Sequence, residues 1–339
     1  MTKKKILILG ATGAMAVYLI PELLAKGYYI DGVSLDDVEN DNENITYIKA
    51  NALDLTFLTE TLKNGYDAII DFMIYNPAEK FDLYYKLFLE NTKHYIYFST
   101  YRIYADDSPL NESAKRLLDV EKPDDFVTQG EYSIYKAMQE DVLRNSEYRN
   151  YTILRPAITY SKRRFQLTIL EMDVVVYRML SGKTVILPEG AMDKEATMSW
   201  AGDVAKMIAG VVLNPEAYEQ TYNVSTSEHM KWRDVAKIYE KIGGLKYITV
   251  DNDTFIDIVA DGNVYAKQQL LYDRCFDRIV DNSKILALCS MSQKELVTLE
   301  EGLKRELSNI NISMIKSNVK VNERMDKYIQ KVKAIRDNM

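Results

Sequence analysis

Tyr132 and Lys136 stand four residues apart at the head of a segment that continues with Met138, Val142 and Leu143 at helical spacing. Residues at i and i+4 share one helix face, so a phenol and an ammonium can converge on one site. A nearby cation favours phenolate and brings the tyrosine toward the working range of a general acid or base. Among 25 tyrosines, Tyr132 is the only one followed by lysine at this offset. Upstream, Phe98-Ser99-Thr100-Tyr101-Arg102-Ile103-Tyr104 sets hydroxyls at the end of an apolar run. There they can orient a substrate alcohol or carbonyl, or simply cap the strand.

A second constellation is Gly10-Ala11-Thr12-Gly13-Ala14-Met15-Ala16, directly behind the apolar run Ile6–Leu9. Gly10 permits a tight turn, Gly13 lets the backbone approach a pyrophosphate, and Ala16 is small enough for close helix–strand packing. The helix that follows offers N–H groups and a positive dipole end to phosphates. Gly10, Thr12, Gly13, Ala14 and Met15 are therefore candidate dinucleotide contacts. A carboxylate at the end of the second strand accepts from a ribose 2′-OH, whereas a 2′-phosphate requires arginine or lysine. Here Ser34 stands where the acid is expected, Asp36 follows, and no basic residue lies between Lys26 and Lys49. That pattern favours NAD.

The elements that must position these residues alternate. Strands are expected at Ile6–Leu9, Tyr28–Leu35, Asn44–Lys49, Asp67–Ile74 and His94–Ser99. Helices are expected at Ala14–Lys26, Leu55–Asn64 and Phe81–Lys93, which together imply βαβ units and a parallel sheet. Tyr132 follows the fifth strand at a distance that returns it to the sheet's carboxyl edge, where ligands bind in open α/β folds. Beyond residue 160 the alternation breaks down. Ile169–Gly182 and Trp232–Ile242 read as helices, and Ser313–Met339 reads as one exposed or partner-packed helix, with a solvated face favoured over an oligomer contact.

Length and composition exclude several classes. The chain has 339 residues, 47% hydrophobic and 27% charged, with a net charge of −7. It is ordinary for a globular protein and has no apolar run that spans a bilayer, and its negative charge argues against a broad surface for nucleic acid or anionic membranes while leaving room for a small basic pocket. Two cysteines build no disulfide framework, and no metal-ligand spacing appears. His94 and His229 read as structural residues. The Met-Thr-Lys-Lys-Lys start is followed by too short an apolar stretch for a signal peptide, so a cytoplasmic, reduced protein is expected.

Over roughly residues 5–305 the chain resembles the extended short-chain dehydrogenase/reductases of the NAD-dependent nucleotide-sugar epimerase/dehydratase group. The matching pieces include Gly10–Ala16, Ala52-Leu53-Asp54-Leu55, Ser99-Thr100 with Ile103-Tyr104, and Tyr132…Lys136. Further matches are Leu154-Arg155-Pro156, Trp200–Ala205, Tyr222-Asn223-Val224 and Asp281–Lys284. The resemblance implies a Rossmann-like doubly wound parallel sheet with a smaller C-terminal α/β substrate domain. It implies catalytic roles for Thr100, Tyr132 and Lys136: Tyr132 exchanges a proton with a sugar hydroxyl, Lys136 holds the nicotinamide ribose, and Thr100 bonds the reacting oxygen. Asp54 and Leu55 fall in the adenine-contacting segment, Phe72, Met73 and Ser99 on the nicotinamide side, and Pro156 and Ile158 in the nicotinamide pocket.

Departures from the family pattern narrow the reading. Tyr101-Arg102 replaces the Asp-Glu that 4,6-dehydratases place after the catalytic threonine, which argues against dehydration. Phe72-Met73-Ile74 replaces small residues and crowds the nicotinamide side. Arg102, Arg164 and Arg274 are the candidate substrate contacts; basic residues in the regions of Lys162, Arg163, Arg164 and Arg274 commonly clamp a nucleotide pyrophosphate in the family, and a solvated surface charge is the other reading for each.

The expected organisation is a nucleotide domain over 1–160 with 196–226 returning to it, a substrate-binding domain over 161–310 and a helical tail over 311–339. The expected function is an NAD-dependent epimerase of a nucleotide-activated sugar, with no nucleic-acid, membrane or metal partner, and a homodimer is compatible with the family's habit. Two alternatives stay open. One is an NAD(P)-dependent dehydrogenase or reductase of a sugar or other small carbonyl compound. The other, of a different class, is a non-catalytic dinucleotide-sensing or RNA-binding relative.

Overall fold

Ile6, Leu7, Ile8 and Leu9 are all fully buried, and they point alternately into two different cores. Ile6 and Ile8 pack with Leu19 and Leu23, whereas Leu7 and Leu9 pack with Val33 and Leu58. A strand apolar on both faces requires a helical layer on each side of its sheet. The structure, a computed structural model, describes residues 3–76, 78–105, 109–121 and 132–337.

The first half supplies β1 (Lys5–Leu9), β2 (Tyr29–Ser34), β3 (Ile45–Lys49), β4 (Tyr66–Asp71), β5 (Thr92–Phe98) and β6 (Tyr151–Pro156). Its helices are α1 (Ala16–Ala25), α2 (Leu55–Leu62), α3 (Tyr85–Glu90) and α4 (Tyr132–Asn145). The second half contributes β7 (Ile158–Tyr160), β8 (Gln166–Leu167), β9 (Leu170–Glu171), β10 (Thr184–Pro188) and β11 (Glu195–Trp200). It continues with β12 (Thr221–Val224), β13 (His229–Lys231) and β14 (Lys246–Val250). Seven strands form one parallel sheet in the order β12-β6-β5-β4-β1-β2-β3. The order reverses direction at β1, the switch point where a doubly wound sheet opens its ligand crevice. Thus β12, although late in sequence, closes the edge of the first half's sheet beside β6. β11 instead pairs with β7 and β13 in a separate three-stranded sheet.

Several elements differ from expectation, each for a local reason. β4 stops at Asp71 rather than Ile74, because Asp71 Oδ1 accepts the Met73 N–H at 2.9 Å and turns the chain out of the sheet. The Phe81–Lys93 segment divides into a 3₁₀ turn over 78–83, α3, and the first residues of β5. Ile169–Gly182 is helical only over Val175–Leu180. Its start belongs to the β8–β9 hairpin, where Thr168 takes φ +55° and the Gln166 amide meets the Glu171 carboxylate.

The C-terminal segment is one helix, Val319–Asp337, but it is not merely solvated. Val321 and Met325 are buried, and Tyr328 and Ile329 extend the same stripe onto the second half's core. Arg178 reaches the Asn322 carbonyl at 3.0 Å and Asp326 at 2.7 Å. The apolar positions are few, yet their spacing of four and three residues makes one continuous face.

Candidate active site

Parallel pairing aligns the carboxyl ends of the central strands. Leu9 lies opposite Asp71, Asp71 opposite Tyr97, and Phe98 opposite Leu154. Two cavities open along this edge, one on each side of the Gly10–Met15 turn.

The first, about 370 Å³, is lined by Gly10, Thr12, Gly13, Ser34, Asp36 and Met73 among others. Gly10 adopts φ +88°, and a Cβ there would come within 3.3 Å of Phe72 Cβ, so a side chain would fill the turn and strain it. A Cβ on Gly13 would sit 3.2 Å from the Gly10 carbonyl. Ser34 Oγ bonds Thr12 Oγ1 at 2.8 Å and accepts the Asp36 N–H at 2.9 Å, which leaves Asp36 as the carboxylate on the wall. α1 begins without a side-chain cap and without an acidic residue in its first turn, so its dipole end stays open to an anion. Asp54 is engaged elsewhere: it caps α2 by accepting the Thr56 and Phe57 N–H groups. Asp54, Leu55 and Ala14 line neither cavity.

The second cavity, about 470 Å³, collects Met15, Phe72, Met73, Ser99, Thr100, Arg102, Tyr132, Lys136, Pro156, Ile158, Arg164 and Arg274. Residues that the sequence separates by up to 259 positions therefore share one wall. Thr100 is nearly buried, and its Oγ1 accepts the Arg102 N–H at 3.3 Å, so it caps the turn over Tyr101–Ile103 while facing the cavity. Tyr132 opens α4 half-exposed. The Arg102 guanidinium lies 5.4 Å from its ring centre and Lys136 Nζ lies 6.0 Å away, so two cations flank the phenol.

Lys136 is buried, and its ammonium donates to the Phe98 carbonyl at 2.6 Å and the Met73 carbonyl at 3.4 Å, with the Tyr97 ring 4.7 Å away. Burial pushes it down to about 8, against the opposing pull of Asp71 and Glu140. Asp71 accepts from Tyr95 Oη at 2.6 Å and Tyr75 Oη at 2.9 Å; burial nevertheless raises its carboxyl above the usual range. Glu140 is equally buried, but Arg155 grips it at 2.9 and 2.6 Å and holds it below the usual range despite the burial. Sequence reading passed over Asp71, Glu140 and the tyrosines beneath Lys136. The visible signal was a carboxylate ending an otherwise apolar strand, in Ala68-Ile69-Ile70-Asp71.

The three candidate substrate arginines are held differently. Arg274 is buried, with Nε on the Thr168 carbonyl at 2.9 Å and Nη1 on Tyr101 Oη at 2.8 Å and on Asp273. Burial lowers its proton affinity, and a guanidinium so placed is part of the wall rather than a mobile clamp. Arg102 Nε lies 3.7 Å from the same Asp273. Arg164 is half-buried and reaches Glu171 at 3.4 Å. Arg163, its neighbour, turns away from the cavity and donates to the Thr12 carbonyl at 2.8 Å. His94 is a packing residue as expected, bonded to Thr152 at 2.8 Å and to the Leu213 N–H at 3.0 Å, and burial pushes it down to about 3.

A family model described as "NAD dependent epimerase/dehydratase family" matches residues 6–225. The chain belongs to this family. Its glycine turn, the space over that turn and the open end of α1 fit a dinucleotide, the cofactor that the family's description names. Solved structures of similar fold include an epimerase from Methanothermobacter thermautotrophicus, with a TM-score of 0.69 and 14% identity over 90% of this chain and 91% of that one. Another is UDP-glucose 4-epimerase of Thermotoga maritima with UDP-glucose, with a TM-score of 0.65 and 19% identity over 90% and 97%. A third is UDP-glucuronic acid 4-epimerase of Bacillus cereus with UDP-glucuronic acid and NAD, with a TM-score of 0.65 and 17% identity over 91% and 99%. At such identities the likeness concerns the fold.

A curated relative of different character is the chloroplast stem-loop binding protein of 41 kDa b of Arabidopsis thaliana, 21% identical over 259 residues and 72% of this chain. The match spans 64% of that relative's length. No helix among the described residues is long and apolar enough to cross a membrane.

Proposed function

We propose that this family member is an NAD-dependent epimerase of a nucleotide-activated sugar. The observation that carries the reading is the convergence of Thr100, Tyr132 and Lys136 in one cavity beside the glycine turn. Bound NAD supplies the acceptor, and then the donor, of a hydride. Tyr132 Oη takes the proton of a substrate hydroxyl as that carbon is oxidised, and returns it when the opposite face is reduced. The cations of Lys136 and Arg102 beside its ring favour the phenolate during the first step. Thr100, whose Oγ1 accepts from the Arg102 N–H, keeps its own proton to donate to the reacting oxygen. Lys136, rooted on the Phe98 carbonyl, orients the nicotinamide ribose.

One feature argues against dehydration, and a second against a net reductase that draws on a 2′-phosphorylated cofactor. Tyr101 and Arg102 occupy the positions after Thr100, and Tyr101 is buried with its hydroxyl bonded to Asp273 at 3.1 Å and to Arg274, so it offers no acid for eliminating water. The acidic wall residue Asp36 favours NAD over a 2′-phosphorylated cofactor. Because a relative is named for binding a stem-loop, an RNA-binding role is the competing reading, and a net charge of −7 opposes it.

The test is proton NMR of the purified protein with NAD and a panel of nucleotide sugars, with wild type and Tyr132→Phe side by side. New anomeric signals without net NADH, lost by at least a hundredfold in the variant, are expected. Net NADH formation would make the protein a dehydrogenase. No turnover together with tight stem-loop RNA binding in a gel-shift assay, unaffected by Tyr132→Phe, would overturn the enzymatic reading.

A further inference from the structure

The cavity on the Thr12 side of the glycine turn contains one charged side chain, the Asp36 carboxylate, among its described lining residues. α1 carries no basic residue in its last turn and no acidic one in its first. A dinucleotide brings at least two phosphate charges to this place, and backbone N–H groups with a helix dipole offset only part of them. A cation reaches the glycine turn from far along the chain: Arg163 Nη1 donates to the Thr12 carbonyl at 2.8 Å across 151 residues.

That contact is built on a rigid turn. Ser161 and Arg164 exchange backbone hydrogen bonds at 2.9 Å in both directions, and Ser161 Oγ accepts the Arg163 N–H at 3.2 Å. Tyr18 of α1 accepts the Lys162 N–H at 3.4 Å and donates its own hydroxyl to Glu306 at 2.7 Å. The turn is thus pinned to the helix that carries the phosphate end. A guanidinium has five N–H donors, and the Thr12 carbonyl engages one of its nitrogens. Arg163 and Arg164 are adjacent, yet one faces the glycine turn and the other lines the cavity of Tyr132.

We propose that Arg163 is a phosphate-binding residue of the cofactor site, supplied to it by the second half of the chain. The inference rests on the reading of the glycine turn as an NAD site. The guanidinium pairs with a dinucleotide phosphate while the Thr12 carbonyl holds it in place, and because that geometry already exists, little ordering cost accompanies binding. The hairpin from Ser161 to Arg164 then spans cofactor and substrate together, with one arginine on each.

Calorimetric titration of the full chain with NAD, ADP-ribose, NADP and adenosine tests this for wild type, Arg163→Gln and Arg163→Lys. Arg163 is exposed, so the variants are expected to melt at the wild-type temperature. Loss of one charge-assisted pair predicts about tenfold weaker NAD and ADP-ribose binding in Arg163→Gln, unchanged adenosine binding, and an intermediate loss in Arg163→Lys. Equal losses for NAD and NADP assign the contact to the pyrophosphate. A loss confined to NADP assigns it to the ribose 2′-phosphate and makes Arg163 the cation that the acidic loop after β2 lacks. Arg163→Gln binding all four ligands as wild type does, or losing adenosine equally, overturns the proposal and leaves the epimerase reading standing. Wild type that binds none of the four removes both.

Discussion

Met73 joins Asp71 to Lys136: its N–H donates to Asp71 Oδ1 at 2.9 Å, and its carbonyl accepts from Lys136 Nζ at 3.4 Å. The ammonium is therefore buried among carbonyls, with a carboxylate one residue away as its counter-charge. Glu140, the other nearby acid, is already neutralised by Arg155 and Arg144.

This relationship sets the pH dependence. A lysine pushed down to about 8 is charged below that pH and discharges above it. Turnover that uses the ammonium is expected to fall as pH rises through about 8. In Asp71→Asn the counter-charge is gone, the ammonium becomes still less favourable, and the alkaline limb moves to lower pH. The kcat profile of both proteins checks this, and a limb at the same pH in both would sink the assignment. A merely structural change would lower kcat at every pH without moving the limb.

Arg155 and Glu140 form a bidentate pair with both side chains essentially inaccessible. Arg155 Nη1 also reaches Tyr104 Oη and the Glu112 carbonyl, each at 2.9 Å. Arg155→Met leaves a buried carboxylate with Arg144 and, at 4.0 Å, Arg116, and is expected to cost about 3–5 kcal/mol in urea denaturation. Adding Glu140→Gln removes the stranded charge, so the double variant should recover more than half of that loss. Additive losses would show that packing, not charge, dominates here.

The C-terminal helix is a structural element of the second half. Met325→Ala removes a fully buried side chain from its core and should cost about 2–4 kcal/mol, while the exposed Lys331→Ala should change stability by less than about 0.5 kcal/mol. Equal, small effects in the two variants would mean that the helix is solvated on all sides.

The sequence by itself determined the local parts of this protein. Ile6–Leu9 reads as a strand because four consecutive apolar residues before a glycine can only be buried on both faces. Gly10 reads as part of a phosphate turn because a glycine directly behind a buried strand permits a tight turn, and Tyr132 with Lys136 reads as a pair because helical spacing puts both on one face. Each follows from neighbours along the chain. What the tertiary structure alone decided is how distant charges are matched. Asp54 went to a helix cap, Arg274 into the wall with Asp273 and Tyr101, and Arg163 across to Thr12, while Asp71 came beneath Lys136. A buried polar group left without a partner is costly, so most find one, and the identity of that partner depends on which strands and loops the fold brings within about 3 Å. No periodicity encodes that choice, because the partners lie tens to hundreds of residues apart.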